Sequence, residues 1–159
     1  MKTIKLEANV QICDFDEFSV KDQELLTEAI HATNNSYANY SNFYVGAALR
    51  LDSGKIVIGA NQENAAFPSG LCAERTAIFA AQANYPDHPI QTLAVAAKNN
   101  NGLLKQPVTP CGACRQVILE IEERYKSPIR LLLYGTEGVY CVSSVKDLLP
   151  LSFVDENMR

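Results

Sequence analysis

Apolar residues first recur along the chain at the spacing of a helix face. Leu25, Leu26, Ala29 and Ile30 form a stripe three and four residues apart, and Ser19 followed by Asp22 has the form of a capping box, so a helix over about Val20–Asn34 is predicted. Tyr37–Tyr44 is rich in Asn, Ser and Tyr and reads as a loop. Val45–Leu51, the turn Asp52-Ser53-Gly54-Lys55 and Ile56–Ala60 then read as an antiparallel hairpin. A long polar loop, Asn61–Gly70, feeds a helical run from Ala73 to Ala83. Thr92–Ala97 is a buried-looking strand, and Asn99-Asn100-Asn101-Gly102 marks a turn after it. A further helix opens at Cys111 and continues to about Tyr125, and Ile129–Tyr134 is the next apolar strand beyond Pro128.

Strand, helix, strand, helix, strand is a parallel crossover pattern whose connections should be right-handed, with the helices covering the sheet faces. The last strand breaks that pattern. Only Gly135-Thr136-Glu137-Gly138 separates Tyr134 from Val139, too few residues for a crossover helix, so Val139–Val142 must pair antiparallel to its predecessor. Ser144 caps a short helix through Leu149, which Pro150 stops. The expectation is an α/β chain whose five strands form one mixed sheet with the last strand antiparallel.

Composition narrows the function more than the fold. The 159 residues have the length of one domain, 1–159, able to bury a real core. A 47% hydrophobic and 20% charged balance is that of an ordinary globular protein. The formal net charge of -4 and a pI near 5.2 argue against gripping a nucleic-acid backbone, which requires Lys and Arg, and suit a free small molecule better. Five cysteines, an odd number, with no secretory pattern over Met1–Val10, argue against a disulfide framework and for a reducing, cytoplasmic compartment. No apolar run approaches a membrane span.

The chemistry is concentrated in Cys72-Ala73-Glu74-Arg75 and Pro110-Cys111-Gly112-Ala113-Cys114. Three cysteines with a carboxylate two residues past the first suggest one zinc held by three thiolates, with the fourth position left to a water that the metal acidifies. Cys111 and Cys114 are three apart on a first helical turn, and Cys72 precedes the other helix. All three thiolates thus sit where unpaired N–H groups and the macrodipole favour negative charge. Glu74 beside such a water is placed as a general base. By itself the Cys111–Cys114 pair reads equally well as a redox dithiol or as half of a structural zinc site, for which Cys13, Cys141, His31 and His88 are the other donors. Cys141 lies in an apolar run and reads as a buried small hydrophobe, and Cys13 lies in an irregular early segment without a role.

These residues, extended by Arg115-Gln116, resemble the small zinc-dependent cytidine deaminases. Tyr40-Ser41-Asn42-Phe43-Tyr44-Val45-Gly46-Ala47-Ala48-Leu49 and Gly59-Ala60-Asn61-Gln62-Glu63-Asn64-Ala65 match the same family, in order, over about Tyr37–Phe153. The resemblance implies a three-layer α/β/α fold, one zinc per chain, and hydrolytic deamination of cytidine and deoxycytidine in pyrimidine salvage, with Glu74 as proton shuttle. The short turn before Val139 resembles the free-nucleoside branch; relatives acting on bases within nucleic acid insert a helix there. A relative acting on a cytosine-bearing antibiotic nucleoside is the nearest alternative, and a structural zinc or redox-thiol protein the more distant one.

The resemblance also assigns binding residues. Asn61 and Glu63 match the pair that holds the ribose, the other reading being that both satisfy loop backbone. Phe43 matches an aromatic packed on the pyrimidine, or else is a core phenylalanine. The Ala73 N–H faces the base carbonyl. Arg75 hydrogen-bonds the thiolates and offsets their charge, unless it is a surface arginine. Phe67 and Phe153 align with aromatics that family members lend to a neighbouring subunit, which implies a homotetramer; apolar packing within the chain is the other reading. Tyr44 stands where the family commonly has proline, and Asn99–Lys105 is longer than usual and reads as a surface insertion.

Overall fold

The computed structural model describes residues 1–159. Seven strands, β1 Gln11–Cys13, β2 Tyr44–Leu51, β3 Ile56–Ala60, β4 Ile90–Asn99, β5 Gly102–Leu103, β6 Arg130–Leu133 and β7 Val139–Val142, form one sheet. Its order is β1-β7-β6-β4-β2-β3, with β5 paired to the end of β4. Three helices, α1 Val20–Ala32, α2 Ala73–Asn84 and α3 Gly112–Tyr125, cover it.

Alternation along the strands divides the core into two layers, as a pleated sheet requires. Leu49, Leu93, Val95, Leu131 and Leu133 point to the face carrying α2 and α3, whereas Ala48, Ala94, Ala96 and Leu132 point to α1 with its Leu25, Leu26 and Ala29. The sheet is therefore sandwiched between helices as a three-layer α/β/α fold. Two glycines let the helices approach closely. A Cβ on Gly46 would stand 2.1 Å from the Ala29 carbonyl oxygen of α1, and one on Gly59 would stand 2.4 Å from the Ala77 nitrogen of α2.

The sheet has seven strands, not the five expected from the pattern, and the five are all among them. β5 is too short to show periodicity, and β1 is a three-residue edge strand that pairs antiparallel with β7, placing Gln11 opposite Cys141 and Cys13 opposite Val139. Cys13 thus lies in a strand and not in an irregular segment. Only β4 and β6 are parallel neighbours, because β2 separates β3 from β4, although β3, β4 and β6 run in one direction. β7 is antiparallel to β6, as the short turn demanded.

The local signals act as read, with one modification. Ser19 Oγ accepts the Asp22 N–H at 3.2 Å, but the Asp22 carboxylate pairs with Arg130 at the start of β6 instead of returning to the cap. Asn99–Lys105 is a tight hairpin, in which Gly102 at φ +107° makes the turn and the Asn99 side chain accepts the Asn101 N–H at 2.8 Å. The hairpin delivers the chain to the β6–β7 turn, where Leu104 and Lys105 carbonyls accept the N–H groups of Thr136 and Glu137 at 3.0 and 3.1 Å. From there Val108 and Thr109 lead into α3.

Candidate active site

The N-termini of α2 and α3 converge at one end of the sheet. Cys72 caps α2 in an extended conformation, Cys111 does the same for α3, and Cys114 follows in the first turn of α3. All three sulfurs lie within 4.8 Å of one another, with Cys72 and Cys111 sulfurs 3.9 Å apart. Tetrahedral zinc with Zn–S bonds of about 2.3 Å places its sulfurs roughly 3.8 Å apart. The residues present therefore fit the metal with little adjustment. Cys13 and Cys141 lie elsewhere, on β1 and β7, so no fourth cysteine joins the cluster. Cys141 is half-buried against the α1 side of the core, and burial pushes its thiol up.

The clustered thiols perturb one another's ionisation. A hydrogen bond from Cys114, reinforced by Arg75 and Cys111, holds the Cys72 thiol down to about 5 against the opposing effect of burial. The Cys114 thiol is pushed well up, first by that same bond to Cys72 and then by its burial. Arg75 Nη2 donates to Cys72 Sγ at 3.4 Å, so its guanidinium lies against one sulfur of the cluster.

Glu74 is 5% exposed. Burial, reinforced by the negative charge of Cys72, raises its carboxyl above the usual carboxylate range. An upward displacement of this kind brings a carboxyl closer to the range suited to proton transfer in both directions. With Cys72, Ala73 and Cys111 it lines a cavity of about 300 Å³, whose walls include Phe43, Asn61 and Glu63. A second hollow of about 300 Å³ shares Asn61, Glu63 and Cys72 and extends to Tyr40 and Phe67. Ala73 is the first residue of α2, a position whose N–H has no partner within its own helix.

The loop residues hold each other in place. Asn61 Oδ1 accepts the Val45 N–H at 2.8 Å, and its Nδ2 donates to the Phe43 carbonyl at 2.9 Å, which leaves one lone pair and one N–H for a ligand. Glu63 accepts the Tyr40 N–H at 2.7 Å, the Ser41 N–H at 3.3 Å and the Ser41 hydroxyl. The Ser41 hydroxyl, followed by the Tyr40 N–H, holds the Glu63 carboxyl below its ordinary range. Phe67 is 76% exposed, edge-on to Tyr40 with ring centroids 5.8 Å apart, and Phe153 is 57% exposed on the C-terminal tail, outside its own chain's cavity. Neither packs in the core.

Sequence reasoning missed Ser41, whose hydroxyl reaches Glu63, and the wall formed by Val108 and Thr109. It also gave Arg115 no part beyond the motif. Arg115 follows Cys114 and reaches three separate acceptors, the most distant 33 residues away, which no local pattern signals.

Residues 19–126 match the family model for the cytidine and deoxycytidylate deaminase zinc-binding region, which takes in α1 and ends at α3. The chain is 40% identical over 137 residues to a cytidine deaminase of Halalkalibacterium halodurans, covering 86% of this chain and 97% of that one. It is 38% identical over 136 residues to the cytidine deaminase of Sporosarcina psychrophila, covering 86% and 93%. Among solved structures, cytidine deaminase from Burkholderia pseudomallei superposes with a TM-score of 0.69 at 41% identity, over 82% of this chain and 97% of that one. The enzyme from Mycobacterium tuberculosis does so with a TM-score of 0.66 at 29% identity, over 86% and 99%.

Proposed function

The chain belongs to the cytidine deaminase family, and from that premise we propose how its residues divide the work. The reaction is hydrolytic deamination, cytidine and water giving uridine and ammonia. Cys72, Cys111 and Cys114 would hold a zinc ion, which when bound would acidify a water at its open fourth position. The Glu74 carboxylate takes a proton from the attacking water and delivers it to N3 of the cytosine ring, which makes C4 more electrophilic. After attack at C4, Glu74 takes the proton of the new C4 hydroxyl and passes it to the departing amino group, so that C4 becomes the uridine carbonyl and ammonia leaves. The observation that carries this reading is the buried Glu74 carboxyl opening into the cavity beside three convergent thiols.

Substrate placement follows from the same cavity. Phe43 packs against the pyrimidine, and the Ala73 N–H at the start of α2 binds the base carbonyl. The remaining N–H and lone pair of Asn61, with Glu63, grip the sugar on its 3′ side, and deoxycytidine is therefore a substrate as well. Arg75 offsets the charge of three thiolates. The 159 residues act as one domain in the cytoplasm and assemble as a homotetramer, in which Phe67 and Phe153 complete a neighbour's site; their exposure supports this assignment. No helix is long and apolar enough to cross a membrane. Light scattering should give the mass of four chains, and a monomer would refute the assembly.

Glu74→Gln tests the central role. The variant should keep its zinc and lose about 100-fold to 10,000-fold in kcat, the range for one positioned acid–base group. A nearly active variant would refute the assignment.

A further inference from the structure

Cys111 is the exposed member of the cysteine cluster, and it stands at the end of a loop, whereas Cys114 is buried within α3. That loop is poor in donors of its own, because Pro107 and Pro110 have no N–H. Arg115 supplies them. Its Nε donates to the buried Pro110 carbonyl at 2.8 Å, Nη2 donates to the Thr109 hydroxyl at 3.0 Å, and Nη1 donates to the Leu148 carbonyl at 2.6 Å. The next residue, Gln116, donates from Nε2 to the Phe153 carbonyl at 3.0 Å. One turn of α3 thus directs its cysteines to the metal cluster and its two following side chains to the loop before Cys111 and to the C-terminal tail.

We infer that Arg115 is a positioning residue for the metal site: it fixes the Thr109–Pro110 peptide so that the Cys111 sulfur meets those of Cys72 and Cys114, and it ties the Leu148 carbonyl, at the end of the short helix after β7, to the same point. The inference rests on the zinc reading above. The guanidinium suits the task because its planar fork reaches acceptors on three segments at once, which a lysine ammonium on a flexible stem does not do. Without it the buried Pro110 carbonyl loses its donor, and the N-cap that presents Cys111 becomes mobile.

The test is zinc release from the loaded protein to a chromogenic chelator, with thermal melting as the check on folding. Arg115→Gln and Arg115→Lys should both release zinc about 10-fold faster or more, the lower end for residues that orient metal ligands. Arg50→Gln is the matched control. Arg50 also bridges three groups, the Lys21 and Gly54 carbonyls and the Glu24 carboxylate, far from the cysteines, so its loss should lower the melting temperature and leave zinc release at the parent rate. Release from both Arg115 variants at the parent rate overturns the inference, as does equal acceleration by Arg50→Gln. If neither Arg115 variant folds, Thr109→Val decides: faster release supports the positioning role, and the parent rate overturns it. A parent protein that holds no zinc instead overturns the metal reading itself, and this inference with it.

Discussion

Replacing Gly59, which does not itself line the cavity, by alanine should disable the site. Gly59 lies on β3 beneath α2, and a Cβ there would stand 2.4 Å from the Ala77 nitrogen, 2.6 Å from the Ala73 carbonyl oxygen and 2.9 Å from the Ala77 Cβ. Ordinary carbon contacts begin near 3.5 Å, so α2 must move outward by about 1 Å. Backbone, unlike the end of a flexible side chain, cannot turn aside. The displaced end of α2 carries Cys72, Ala73 and Glu74, whereas Cys111 and Cys114 are held separately on α3. A misplacement of about 1 Å costs on the order of 100-fold in rate. Overpacking of this kind costs about 1–3 kcal/mol, which for a chain of this size lowers the melting temperature by roughly 2–12 °C. Thermal melting and steady-state loss of cytidine absorbance measure the two effects. Gly112→Ala is the contrast: Gly112 lies between two cysteines of the cluster, Cys111 and Cys114, yet nothing stands within 4 Å of its added Cβ. That variant should keep kcat/KM within about twofold of the parent, the usual limit for an unobstructed surface change. A Gly59→Ala protein that melts and turns over like the parent would refute the close-approach argument.

Cys72→Ala should lose metal and activity together, because two thiolates leave the tetrahedron too incomplete to hold zinc tightly; stoichiometric zinc retained through gel filtration would count against Cys72 as a ligand. Glu63 makes a pH-dependent contribution. Its folded-state carboxyl is depressed by Ser41 and Tyr40, so its clamp on their loop is fully present above the ordinary carboxylate range and is lost as pH falls through the lowered folded value. The difference in melting temperature between the parent and Glu63→Gln should therefore shrink on acidification, and a difference independent of pH would contradict the clamp.

Much of this architecture is legible in the sequence because the relevant interactions are local. Ser19 announces α1, the apolar runs announce the long central strands, and the four residues 135–138 leave β7 no path except an antiparallel return. The convergence of the three cysteines is legible for the same reason, since Cys111 and Cys114 share one helical turn and Cys72 opens another. What escaped depends on pairing at a distance. β1 exists because β7 offers it an edge, and β5 because Gly102 folds the chain back on β4. Asn61 and Glu63 show a polar pair in the sequence, but not that each already grips the loop from Tyr40 to Val45. Arg115 reads as one more charge in a helix until Leu148 and Thr109 are seen around it.

The most direct test of the whole account is the loss of ultraviolet absorbance of cytidine with the purified protein, measured beside its zinc content. Turnover to uridine with about one zinc per chain, as a single three-thiolate site requires, is the predicted result. Zinc without turnover of cytidine, or turnover that survives complete removal of zinc, would contradict it.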